Sequence, residues 1–342
     1  MNMFKWVDKM IFEDEKKPLP ILSFPSVQLL FVTVKELVSS SDYQAMGMRM
    51  IADKYDMPAA PSFMDLSVEA EAFGSTAVYA SDEVPTIIGH LVRTQEEADA
   101  LVVPEVGAGR TGICVEGVRK SLKLITDRPV FAGCIGPYSL AGRLMDINEV
   151  MVDCYEEPEK VHTVLQKATD FIIKYIKEFK KTGAHGVILA EPLAGLLSPE
   201  LMQKFSSDYV RKIVDETQEQ GFIVIYHNCG GSVQSLAKEI ISTGCKVFHL
   251  GDAIDMADML QKLPADSLVM GNISPSKQFR NGTPQSMRIE TIKLLEKCKG
   301  HDNFLISSGC DIPPLTDFDN IDTFFDTVQA FYYRQHLLDM VV

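Results

Sequence analysis

Short apolar runs recur along the chain, most of them closed by glycine or proline. They read LPILSFP (19–25), AAPSFMD (59–65), PVFAGCIG (129–136), GVILAEP (186–192), FIVIYHN (222–228), KVFHLGD (246–252), SLVMGNIS (267–274) and FLISSGC (304–310). Nearly continuous hydrophobicity over so few residues suits parallel strands covered on both faces. Helical patterns lie between the runs. In the clearest, Val161, Leu165, Ala168, Ile172, Tyr175, Ile176 and Phe179 recur at three- and four-residue steps, with lysines opposite. Pro158 suits its first turn and Gly183 its end. Further helices are predicted over 41–56, 113–126, 199–220, 233–243, 284–298 and 319–338. Eight strands alternating with helices predict an α/β fold of the (β/α)8 TIM-barrel type, with an open doubly wound sheet as the alternative. No repeat or shift in composition divides the chain. Residues 19–342 are therefore read as one barrel domain, and residues 1–18 as an N-terminal helical extension packed outside it.

A barrel gathers reactive groups at the C-terminal ends of its strands. Those ends carry Asp65, Glu191, His227, Cys229, Asp252, Asn272, Ser274 and Cys310. In an extended segment, positions i and i+2 point the same way. His227 and Cys229, in IYHNCGG, can thus present an imidazole and a thiolate to one point, and the two glycines let the chain turn. Cys310, in SSGCDIPP, ends the last strand and adds a second sulfur. Two thiolates and one imidazole suit zinc, and three protein ligands leave a position for substrate. The plainer reading is a half-buried histidine beside inert core cysteines.

Composition narrows the function classes. A formal net charge of -14 repels phosphate backbones, which argues against a nucleic-acid partner. No apolar run approaches the roughly 20 residues of a membrane span, and the amino terminus lacks a secretory pattern. Seven scattered cysteines make no disulfide framework, so a reducing cytoplasm is expected. GAGRTG (107–112) matches a dinucleotide fingerprint in spelling only. Pro104 interrupts the run before it and no acid-terminated strand follows, so it is read as a flexible surface loop. His249 is read as a hydrogen-bonded core residue or a substrate contact, and the remaining cysteines as filler, with Cys134 near the site.

Six segments carry a family resemblance: FMDLSVEAEAFG (63–74), PVFAGCIGPYSLAGRLMD (129–146), LAEPLAG (189–195), YHNCGG (226–231), MGNISP (270–275) and ISSGCDIPPLTDFDNIDTF (306–324). In order and spacing the chain resembles the uroporphyrinogen decarboxylase superfamily, in its methylcobamide:coenzyme M methyltransferase branch. The resemblance implies a barrel with zinc held by His227, Cys229 and Cys310, and Glu191 as either an additional ligand or a structural carboxylate. It implies methyl transfer between a methylated corrinoid, as co-substrate, and a zinc-activated thiol such as coenzyme M, or corrinoid methylation in the reverse direction. Asp65 or Glu191 would take the released proton. Arg143 would meet the acidic group of the thiol. Asp252 is read as a polar group of the substrate site, and Asn272 and Ser274 as orienting substrate or capping the following helix. The family-type cobalt-ligating D-x-H-x-x-G is absent from the chain, so the corrinoid would arrive on a partner protein or as free methylcobalamin. The alternative is a metal-free decarboxylase acting on a tetrapyrrole. Asp65 stands where those enzymes carry an aspartate, but the arginines they place after the first strand are missing from LSFPSVQLLFV.

Overall fold

The computed structural model describes residues 1–339. Its strands in chain order are β1 (Ala60–Pro61), β2 (Thr76–Val78), β3 (Thr86–Ile88), β4 (Val130–Ile135), β5 (Gly186–Ala190), β6 (Ile223–Asn228), β7 (Val247–Leu250), β8 (Leu268–Ile273) and β9 (Phe304–Ser308). β2 and β3 pair as a separate antiparallel hairpin. The other seven form one parallel sheet in the order β1-β4-β5-β6-β7-β8-β9. This order follows the chain without the reversal that defines a doubly wound sheet. Valine, isoleucine and leucine fill these strands, and almost every strand residue is buried, as a sheet covered on both faces requires.

The first apolar run departs from expectation, since residues 19–25 form no ladder strand. Pro18 and Pro20 have no N–H to donate, which breaks regular pairing. The segment nevertheless lies between the sheet's two edges. Leu19 N donates to Ile306 O of β9 at 3.0 Å, and Ser23 Oγ donates to Pro61 O of β1 at 2.7 Å. Ile21 N bonds the Ser308 hydroxyl at 3.0 Å. Isolated backbone bonds and serine hydroxyls thus supply the closure in place of a regular ladder, and the parallel sheet of the described residues has seven strands rather than eight.

Helices connect the strands. Pro158–Thr182 runs from its proline to Gly183, which takes φ 96° and ends the helix. Pro284–Cys298 fits its sequence pattern, opened by a capping box at Thr283 and Ser286. The predicted 199–220 helix is interrupted by a wide π turn at Gln203–Ser207. Met3–Phe12 buries Met3, Trp6, Val7, Met10 and Ile11. Its Trp6 ring meets Phe131, near the start of β4, at 5.5 Å, and Met3 N donates to Gln220 O, just ahead of β6. This helix therefore covers the N-terminal end of the sheet, opposite the strand ends that carry the polar residues. No helix among the described residues is long and apolar enough to cross a membrane.

Candidate metal centre

β6 ends in Tyr226-His227-Asn228, followed at once by Cys229. Tyr226 and Asn228 share one face, as their 3.0 Å hydrogen bond requires, so His227 and Cys229 take the other. The Asn228 carboxamide then accepts from Gly230 N at 2.9 Å, a local turn that bends the chain off the strand. Two glycines let neighbouring loops close on it. A Cβ on Gly251, after β7, would sit 2.4 Å from Cys229 Cα, and one on Gly195, after β5, would sit 2.7 Å from Gly230 Cα.

Cys310 arrives from the far edge, two residues beyond β9. Its Sγ lies 3.4 Å from His227 Nε2, and the donor atoms of His227, Cys229 and Cys310 all fall within 4.8 Å of one another. The neighbouring Cys310 thiol holds Cys229 well below the ordinary thiol range, and Cys229, with burial, pushes Cys310 up. Tetrahedral zinc with ordinary bond lengths separates a nitrogen and a sulfur ligand by about 3.5 Å. The observed separation and the soft donor set fit that ion.

Beneath the trio the two histidines touch. His227 Nδ1 lies 2.8 Å from His249 Nδ1 and 3.2 Å from His249 O, and His249 Nε2 lies 2.8 Å from Ser307 Oγ. β8 separates β7 from β9, so the His249–Ser307 contact crosses the interior of the curled sheet. Burial holds His249 well below the usual histidine range.

Glu191 is 0% exposed. Its carboxylate accepts from Ser139 N at 2.8 Å and from Ser206 Oγ, on the π turn. It stands outside the metal-donor group and links the elements after β4 and β5. Its backbone N–H reaches His227 O at 2.8 Å. Burial pushes the carboxyl up to about 7. Asp65 is also enclosed. It pairs with Arg110 and accepts from Ser67 N and Oγ at 3.0 and 2.6 Å. Arg110 Nε meets Glu71 at 2.7 Å, and Tyr79 OH donates to the same carboxylate. GAGRTG is therefore no flexible surface loop, because it delivers a 5% exposed arginine to Asp65. Only the identity of Asp65 as a buried carboxylate in need of a cation could have signalled this.

The other candidates spread along the mouth. Arg143 is half-buried in the Pro137–Met145 helix, within electrostatic reach of Asp65 and Glu69, and burial lowers its pKa. Its guanidinium has no hydrogen bond or ion pair among the described residues. Glu69, which sequence reasoning passed over, accepts from Ile135 N at 3.0 Å and is pushed up to about 7 by burial. Asp252 is exposed, packed near Gly309. Asn272 holds the loop after β7 by donating to Gly251 O at 2.9 Å and Ile254 O at 3.1 Å. Ser274 caps the next turn by accepting from Lys277 N at 3.2 Å. Cys134 is buried in β4.

Comparison with known proteins agrees with this architecture. The model of the Uroporphyrinogen decarboxylase (URO-D) family matches residues 30–331. The chain is 26% identical over 274 residues to the Methylcobamide:CoM methyltransferase MtbA of Methanosarcina acetivorans, across 79% of this chain and 78% of that protein. It is 25% identical over 289 residues to the Uroporphyrinogen decarboxylase of Alcanivorax borkumensis, across 81% and 80%. A solved methyltransferase from Methanosarcina mazei shares the fold at TM-score 0.83 and 20% identity, over 93% of this chain and 95% of that one. Because the family model spans most of its length, the chain belongs to the uroporphyrinogen decarboxylase (URO-D) family.

Proposed function

We propose that the protein is a zinc-dependent methyltransferase that moves a methyl group between a methylated corrinoid and a small thiol. The observation that carries this reading is the meeting of His227, Cys229 and Cys310, with Cys310 Sγ 3.4 Å from His227 Nε2. In this reading the three residues hold the ion and leave one position open. Bound zinc would supply deprotonation of an incoming thiol, which at its ordinary pKa near 8.5 is only a few per cent thiolate at neutral pH.

The chain's own residues do the rest. The thiolates of Cys229 and Cys310 would neutralise a bound dication, which would leave a thiol sulfur its nucleophilic character. Glu191 ties the loops after β4 and β5 to the backbone at His227, which keeps the histidine in register. Arg143, half-buried and unpaired among the described residues, is the cation assigned to the acidic group of the thiol. A methylcobamide and coenzyme M are the partners named for the Methanosarcina relative, and coenzyme M bears such a group. The corrinoid would come on a separate protein, docked over the barrel mouth, or as free methylcobalamin.

The decarboxylase alternative is disfavoured by two observations. Asp65 is already neutralised by Arg110, and residues 19–31 contain no arginine to hold substrate carboxylates. The test is demethylation of methylcobalamin by the zinc-loaded protein, followed by visible spectrum with a panel of thiols. We expect a thiol-dependent spectral change that is lost in Cys310→Ala. No change with any thiol, together with decarboxylation of a porphyrinogen, would reverse the assignment.

A further inference from the structure

His249 is buried and stands outside the donor trio, yet its Nδ1 lies 2.8 Å from His227 Nδ1. His227 Nε2 faces Cys310, so this nitrogen is the one offered to a metal. A neutral imidazole that gives one lone pair to a metal carries its proton on the other nitrogen, here Nδ1. That nitrogen lies 2.8 Å from His249 Nδ1, a separation with room for a single proton. His249 Nδ1 must then accept, which places the His249 proton on Nε2, where Ser307 Oγ waits at 2.8 Å. The imidazole protons of both histidines are thereby assigned.

We infer that His249 is a positioning residue, anchored by Ser307, that selects the tautomer and orientation of His227 for metal binding. The inference rests on the proposed metal reading and deepens it. A ligating histidine commonly gives its second N–H to a carboxylate, a backbone carbonyl or water. Here the His249 imidazole, at 2.8 Å, takes that place ahead of the His249 carbonyl at 3.2 Å, so the orienting contact adds no negative charge beneath two thiolates. The β7 strand makes this possible, because His249 sits directly beside His227 in the parallel ladder and its side chain shares the same face.

The experiment measures zinc affinity by competition with a chromophoric chelator, alongside the melting of each apoprotein. His249→Leu keeps the volume without a side-chain acceptor, leaving only the backbone carbonyl at 3.2 Å, whereas His249→Asn offers an oxygen near the position of Nδ1. Zinc binding is expected to weaken about 10–100-fold in His249→Leu. Recovery to within about threefold of the parent is expected in His249→Asn, with Ser307→Ala between the two. A purely structural role would lower both His249 variants alike, and that result, or parent affinity in His249→Leu, overturns the inference. If His249→Leu does not fold, parent affinity in Ser307→Ala does the same. A parent that binds no zinc, or binds it equally well as His227→Ala, overturns the metal reading itself and this inference with it.

Discussion

At the scale of single residues, the site is surrounded by carboxyl groups in contrasting electrostatic states. Asp65 has its cation in Arg110, whereas Glu69 is enclosed with one oxygen lacking a hydrogen-bond partner among the described residues. Burial raises Glu69 from the usual 4.5 to about 7, so the folded state binds a proton that the unfolded chain has already lost. The stability this contributes is complete below pH 4.5 and declines as pH rises towards 7. Glu69→Gln should flatten that decline by roughly 3 kcal/mol across the window, read as urea unfolding at a series of pH values. An unchanged slope would mean that Glu69 is ionised in place. Arg110→Ala removes the partner of two carboxylates at once. It should cost about 3–5 kcal/mol in the same assay, because it strands a buried charge. The trio itself could be read from i, i+2 geometry and strand ends. The Asp65–Arg110 pair could not, because nothing local in GAGRTG shows that its arginine turns inward.

At the scale of elements, the loops after β5, β6 and β7 meet through glycines with no space for a side chain. Gly251→Ala would drive a methyl group to 2.4 Å from Cys229 Cα. The loop must then move, and we expect zinc affinity to fall at least tenfold with a stability loss of about 1–3 kcal/mol. Wild-type affinity in that variant would mean that the loops are not as tightly joined as described. Seven of the strands were legible because burial on both faces leaves an unmistakable apolar run. The first run is the exception, since LPILSFP is apolar enough for a strand but its prolines lack the donors for a ladder. The β2–β3 hairpin escaped notice for the opposite reason. Its strands are three residues long and half exposed, so they show neither a continuous run nor a clear alternation. The π turn that aims Ser206 at Glu191 also has no sequence signature, because it inserts its extra residue inside an otherwise ordinary helical pattern.

At the scale of the whole molecule, the two ends of the sheet have separate tasks. Met3–Phe12 seals the end where strands begin with Trp6 against Phe131, and the opposite end gathers the donors. Trp6→Ala should therefore lower stability by about 3–5 kcal/mol while leaving zinc affinity unchanged, measured by unfolding and by chelator competition. The centre joins β6 to the segment after β9, across the interior of the sheet, so binding a metal there links distant parts of the chain. The most direct measurement of the central claim is zinc K-edge X-ray absorption on the metal-loaded protein, compared with Cys310→Ala. The account predicts two sulfurs and one imidazole nitrogen from the protein around each zinc, falling to one sulfur in the variant. A shell of light atoms alone, or one that Cys310→Ala leaves unaltered, would contradict it.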